Sequence, residues 1–277
     1  MKNQLRVKSA IIMTLLLFCC SIAFAAQTSP SIIVLSEAGF PAADTAAPSQ
    51  NQLKNIFPAA HFVSVNQLET ALNKDQPRLL VLPYGSAFPE QSWPSIFHFL
   101  QTGGNLLVLG GQPFTRAAYR DAAGWKLRDY SVRFIRPLMI DQYQETMGSE
   151  NLTFQANSDI PLQLSPFAWK RAFSPVIRLS SVDLYKRDGA TGSIDARLDP
   201  LVWGVKDQRK LTAPAIQIDH LRNGFDGGRW IFLNAELPAQ FYDNPQTKNL
   251  IQNLVAAALQ GSQEFTVRPV WPLYMPG

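Results

Sequence analysis

The sequence predicts an α/β fold: a parallel sheet with helices on both faces, interrupted by an inserted β-rich region and completed by a C-terminal hairpin and helix. Three observations predict it. Short unbroken apolar runs recur at Ile32 to Leu35, Leu79 to Leu82 and Leu106 to Leu109, as expected of strands covered on both faces rather than half-exposed ones, which alternate. Segments with helical spacing fall between these runs, so that strand, helix and strand repeat as βαβ units through residue 109. After Arg120 the rhythm changes to short alternating runs broken by Gly, Pro and Asp.

The first 26 residues stand outside that fold. Lys2, Arg6 and Lys8 precede an apolar run from Ala10 to Phe18, and Ala23-Phe24-Ala25 supplies a small-x-small site, so residues 1–26 read as a signal peptide cut after Ala25 or Ala26. A retained anchor is the rival reading, but about 17 apolar residues is at the short limit for a span. A lipidated cysteine is disfavoured because Phe18 and Cys19 stand where a lipobox wants Gly or Ala. The expected localisation is secreted or periplasmic, with no stable membrane anchor after cleavage. Cys19 and Cys20 are the only cysteines, so the processed chain has no disulfide, no thiolate ligand and no cysteine nucleophile. Of the 25 basic residues three lie in the signal, leaving 22 against 21 acidic ones. That near-neutral balance predicts no nucleic-acid partner.

Taken in order, Ser31 to Leu35 is a buried first strand followed by a loop rich in Ala, Pro and Ser, and Ser49 to Phe57 is a short helix. His61 to Val65 is a second strand, and Asn66 caps a helix through Leu72 that places Leu68, Ala71 and Leu72 on one face. Arg78 to Leu82 is a third strand, ending in Pro83-Tyr84-Gly85. Glu90 to Thr102 is a helix, with Trp93, Ile96, Phe97 and Leu100 at its spacing and Gly103-Gly104 as its stop before the strand Leu106 to Leu109. The region from about 121 to 205 is predicted as short strands and loops, including Val176 to Leu179 and Ser181 to Tyr185. Ala215 to His220 and Arg229 to Leu233 flank the turn-rich LRNGFDGG as a hairpin. Gln246 to Leu259 is an amphipathic helix, and the proline-rich tail 263–277 resembles a linker. The α/β domain is thereby expected over 27–262. Asn151-Leu152-Thr153 is a glycosylation sequon.

The stretch Leu79 to Phe114, LLVLPYGSAFPEQSWPSIFHFLQTGGNLLVLGGQPF, resembles the class I glutamine amidotransferase-like superfamily. More narrowly it is similar to noncatalytic modules of secreted glycoside hydrolases, including β-galactosidase trimerisation domains. Ala213 to Leu237 is similar to the late strands of these modules. The resemblance implies a flavodoxin-like sheet. Active members carry a cysteine on the turn after the strand matching Leu106 to Leu109; here that turn is Gly110-Gly111-Gln112. Amidotransferase chemistry is therefore excluded, since glycine cannot replace a thiolate.

Ser86 reads as a loop serine capping the helix of Trp93, without the Gly-x-Ser-x-Gly setting of a nucleophile elbow. His61 and His98 read as structural. His220, after Asp219 and before Glu236, is the more interesting, although neighbours on a strand point to opposite faces. With strands of this fold ending in site-bearing loops, the candidate ligand-binding residues are Tyr84, Gly85, Gln112, Asp219, His220 and Glu236, and no catalytic residue, metal centre or cofactor is expected. Carboxylates for glycoside hydrolysis are present by number alone, at Asp219, Asp226, Glu236 and Asp243. Among the tryptophans, Trp125 and Trp169 are available for sugar stacking, Trp203 and Trp230 are expected in the core, and Trp271 is expected to pack on another domain. Two functions follow. The first is a noncatalytic module of a secreted glycan-processing protein, partnered by a neighbouring glycosidase domain, a second copy of itself or carbohydrate. The alternative is a stand-alone exported hydrolase acting on glycans through Asp219, His220 and Glu236. A binding protein of two similar lobes would need a second sheet of this type.

Overall fold

The computed structural model describes residues 31–145, 152–157, 171–177, 196–221 and 224–262. The signal segment, the tail with Trp271, Asn151, Trp169, Arg222 and the run Ser181 to Tyr185 lie outside the described residues.

The chain forms β1 (Ile32–Leu35), α1 (Gln50–Ile56), β2 (His61–Val63), α2 (Val65–Asp75), β3 (Leu79–Leu82), β4 (Ala87–Pro89), α3 (Trp93–Gln101) and β5 (Asn105–Leu109). Then follow β6 (Arg116–Asp121), β7 (Gly124–Leu127), β8 (Ile140–Glu145), β9 (Thr153–Ala156), β10 (Phe173–Ile177), β11 (Ala196–Lys206), β12 (Arg209–His220), β13 (Arg229–Leu233) and α4 (Pro245–Gln260). One eight-stranded sheet runs in the order β2-β1-β3-β5-β13-β12-β11-β9. Its first five strands are mutually parallel, and β12, β11 and β9 extend it antiparallel. In chain order the parallel set reads 2-1-3-4-5, the flavodoxin-like arrangement.

The unbroken apolar runs form strands because both of their faces are covered. Ile33, Leu35, Leu80, Leu82, Leu106 and Val108 pack with Leu68 and Leu72 of α2 and Ile96 and Leu100 of α3. Their neighbours Val34, Leu79, Val81, Leu107 and Leu109 pack with Leu53 and Ile56 of α1 and Leu250, Ile251 and Leu254 of α4. Each such side chain, wholly withdrawn from water, contributes about 1.5–3 kcal/mol of transfer free energy.

Helix ends are set by local chemistry. In α1, Ser49 and Gln52 cap one another reciprocally. At α2 the expected cap, Asn66, is corrected to Ser64, whose backbone N–H and hydroxyl both donate to Gln67 Oε1 at 3.0 Å. The helix thus starts one residue before Asn66. Asn244 caps α4 by accepting from the Gln246 N–H, and Pro245 occupies its first turn. The region after Arg120 is β-rich as expected, and two of its strands, β9 and β11, join the main sheet. The expected hairpin is present, with Asp219 opposite Arg229 and Ala215 opposite Leu233. Unexpectedly, β12 starts at Arg209, because Asp207 and Gln208 turn β11 into it with φ of 50° and 64°.

Candidate functional site

The loops at the carboxyl ends of the parallel strands are stitched side by side through backbone hydrogen bonds. Gly85 N–H donates to Leu109 O, Gly110 N–H to Leu233 O and Gly111 N–H to Ala235 O, at 3.1, 2.9 and 2.8 Å. These bonds bring the ends of β3, β5 and β13 together, and the loop after β1 folds over them as Ser86 N–H reaches Ala43 O at 3.0 Å.

At the centre lies Ser86, fully buried. Its hydroxyl donates to Asp44 Oδ2 at 2.6 Å and accepts from the Gln112 backbone N–H at 2.7 Å. The expectation that Ser86 caps the Trp93 helix is therefore corrected: its hydroxyl is spent holding the β1 and β5 loops together. Asp44 sits in the left-handed region, φ 54°, a conformation in which Asp is tolerated better than most residues. Gly111 faces the same hydroxyl, and a Cβ there would stand 2.5 Å from Ser86 N and 2.6 Å from Ser86 Oγ. In this turn, in the register where the resemblance places a cysteine, Gly111 has no room for a Cβ unless Ser86 and Ala43 shift, and only Gln112 carries a side chain.

Arg171 closes the outer side. Its Nε and Nη2 donate to the two carboxylate oxygens of Glu145 at 2.8 and 2.7 Å, and its Nη1 lies 3.7 Å from Asp44 and 4.0 Å from Glu236. The bidentate bond to Glu145 holds the guanidinium above its ordinary pKa and the Glu145 carboxyl below its own. Asp44, Thr45, Arg171, Glu236, Pro238 and Gln240 line a cleft of about 470 Å³. Tyr84 serves the frame: its hydroxyl accepts from Glu37 N–H at 3.0 Å, while Glu37 Oε2 accepts from Val65 N–H at the start of α2. Burial pushes the Tyr84 phenol up, offset in part by that Glu37 N–H.

Of the six residues picked out in the sequence, Tyr84, Gly85, Gln112 and Glu236 gather at this end, and Asp219 and His220 do not. The antiparallel register sets Asp219 opposite Arg229 at the beginning of β13, whereas Glu236 follows its end. The six therefore do not form one site. Asp219, almost wholly buried, receives Arg229 at 2.6 Å, Gln217 at 3.1 Å and Arg197 at 3.3 Å. Arg229 in turn donates to Ala257 O at 3.0 Å, tying the last turn of α4 to the sheet. His220 points to the other face, its ring 3.8 Å from that of Trp230 and 5.3 Å from that of Phe225. Neither of its ring nitrogens has a partner among the described residues, and burial lowers its pKa to about 3.

His61 begins β2, and His98 lines a groove with Arg78 and Asn105 at the strand starts. All three histidines of the sequence thus lie at the end of the sheet where the parallel strands begin, His220 as the last residue of the antiparallel β12. No imidazole reaches Ser86; its hydroxyl donates to the Asp44 carboxylate and accepts from the Gln112 N–H, so Asp44 is the one basic group at its side. Among the described residues no group of three His, Cys, Asp or Glu side chains is placed to hold a metal, and no helix is long and apolar enough to cross a membrane. Trp230 is in the core as expected, whereas Trp203 is half-buried beneath Lys210, 4.7 Å from its ring.

Sequence reasoning passed over Asp44 and Arg171. Asp44 belongs to the loop after β1, and the β1/β3 boundary is the switch point of a 2-1-3 sheet, so strand order alone points to it. Arg171 sits in a stretch without periodicity and carries no such signal.

The fold has similarities among solved structures. A cold-adapted β-galactosidase from Rahnella sp. R3 matches 82% of this chain and 31% of its own at 12% identity, TM-score 0.43. A GH42 β-galactosidase, Gan42B, matches 84% of this chain and 30% of its own at 14% identity, TM-score 0.43. A putative GMP synthase component from Thermoplasma acidophilum matches 83% of this chain and 94% of its own at 7% identity, TM-score 0.41. The chain spans about a third of the length of the β-galactosidases it matches. No protein-family model and no curated protein sequence matches it.

Proposed function

We propose that this chain is an exported, noncatalytic module with an amidotransferase-like α/β fold, serving a glycan-processing protein. It acts by packing against a neighbouring glycosidase domain, by oligomerising with a second copy of itself or by contacting carbohydrate. The α/β unit covers 27–262, with 121–205 as its β-rich insertion and 263–277 as a linker. The observation that carries the reading is the turn after β5: Gly111 is walled in by Ser86, and the hydroxyl beside it is locked between Asp44 and Gln112. Gly111 could not carry a nucleophile without displacing Ser86, Gln112 is not one, and the histidines stand at the far end of the sheet.

The test is turnover. The purified protein is incubated with glutamine and with a panel of nitrophenyl glycosides, and ammonia and nitrophenol are measured against a heat-denatured blank. The expected result is no release above the blank. Turnover above the blank would overturn the reading, and its loss in Ser86→Ala would place the chemistry at this turn.

A further inference from the structure

A second concave surface lies away from these loops, on the three-stranded sheet of β4, β6 and β7. It is a cleft of about 700 Å³, larger than the one at Arg171 and within the roughly 300–1,000 Å³ usual for small-molecule sites. Its polar lining includes Glu90, Tyr119, Arg128, Asp129, Tyr130 and Arg133.

Three features of that lining select a ligand. The first is charge. Glu90 and Asp129 stand against Arg128 and Arg133, so the formal charges of the walls cancel and the cleft has no net attraction for an ion. The second is preorganisation. Arg128 is held between a 2.6 Å bond from its Nε to Glu90 Oε2 and the ring of Tyr119, 4.5 Å from its guanidinium carbon. Its remaining N–H donors and Glu90 Oε1 make no other bond among the described residues. A donor and an acceptor thus stand adjacent, already fixed in direction, which suits neighbouring hydroxyls that each donate and accept. The third is an exposed aromatic. Tyr130 is 47% exposed, one of three large apolar side chains so placed among the described residues. Singly, an exposed Tyr is ordinary; beside a fixed donor–acceptor pair in a cleft it is a flat platform.

We propose that this cleft binds a neutral saccharide, stacking a pyranose ring on Tyr130 and holding adjacent hydroxyls between Arg128 and Glu90. The inference rests on the carbohydrate contact in the reading above and gives that contact a location.

The test is affinity electrophoresis of the purified protein in native gels containing galactan, mannan, xylan or, as the anionic comparison, polygalacturonate. The expected result is retardation by at least one neutral polysaccharide, with affinity lowered about tenfold or more, a loss of about 1.4 kcal/mol, in Tyr130→Ala and in Glu90→Gln. Each variant is compared with its own mobility in a plain gel, since Glu90→Gln removes one negative charge, and Leu211→Ala, on the exposed part of β12, should bind as the parent does. No retardation by any neutral polysaccharide, retardation that survives Tyr130→Ala, or retardation by polygalacturonate alone that salt abolishes would each overturn the proposal. Failure here leaves the noncatalytic reading standing, whereas turnover in the assay above sinks that reading and not this cleft.

Discussion

Replacing Gly111 by alanine separates a crowded turn from a merely unusual one. Gly111 has φ 66° and Gly39 has φ 71°, so a Cβ at either position carries a similar left-handed backbone cost of about 1–2 kcal/mol. Their surroundings differ. At Gly39 a Cβ would meet nothing within 4 Å, whereas at Gly111 it would stand 2.5 Å from Ser86 N, 2.6 Å from Ser86 Oγ and 3.0 Å from Ala43 O. The first and third of those neighbours are backbone atoms bonded to each other, and the hydroxyl is pinned by Asp44 and Gln112, so none can swing aside alone. Overpacking of that kind typically costs about 1–3 kcal/mol. Gly39→Ala should therefore lose about 1–2 kcal/mol, and Gly111→Ala about 2–5 kcal/mol in all. Urea unfolding, compared at a common slope, reads both values. If the two variants lose the same stability within about 0.5 kcal/mol, the turn is slack enough to take a side chain. A nucleophile could then fit there, and the noncatalytic reading would lose its main support.

Three further outcomes are expected. His220 is neutral and buried, with its folded pKa lowered to about 3. The unfolded chain therefore binds a proton that the folded one refuses. The stability this group contributes is intact above the ordinary histidine pKa of about 6.5 and declines as pH falls toward 3, by about 2 kcal/mol at pH 5. His220→Phe should flatten that part of the curve in urea titrations at several pH values, and an unchanged slope refutes it. Asp219→Ala strands the buried Arg229 guanidinium and should cost about 3–5 kcal/mol; a loss below about 1 kcal/mol would show that Ala257 O and water suffice. Ser86→Ala should cost about 1–3 kcal/mol, and adding Asp44→Ala should then cost less than it does in the parent, since their shared bond is already gone.

Much of the fold was legible because its strongest signals are local. Leu79 to Leu82 and Leu106 to Leu109 are apolar without interruption since helices cover both faces, and Gly103, with φ 85°, ends α3 where the sequence marks a stop. The cap of α2 was misplaced because Ser64 and Asn66 are both good caps, and the choice falls to Gln67, whose carbonyl reaches back only to Ser64. The turn from β11 to β12 was hidden because Asp207-Gln208 has neither the Gly nor the Asn that usually marks two positive φ angles in succession. The grouping of His220 with Glu236 went wrong for a reason the sequence did contain. In a hairpin, the last residue of one strand lies at the first residue of the next, so Glu236 is carried away along β13 by roughly 3.3 Å per residue. Arg171 is different in kind: only the tertiary path brings it to Asp44, Glu145 and Glu236.

The place of β13 in the sheet bears on the order in which the chain can fold. Strands β1, β2, β3 and β5 come from the first described stretch, yet the neighbour that covers the free edge of β5 arrives much later: Arg229 bonds to Asn105 across 124 positions. Until that strand is available, β5 presents an open row of amides and carbonyls on a strand whose side chains are all apolar but Asn105. Closing so long a loop is entropically slow, and an uncovered edge invites pairing with another chain. A ribosome or a translocon delivering this polypeptide from its N-terminus therefore holds an incomplete sheet after β5 has emerged, so assembly is deferred until β13, 124 positions beyond Asn105 at Arg229, follows it.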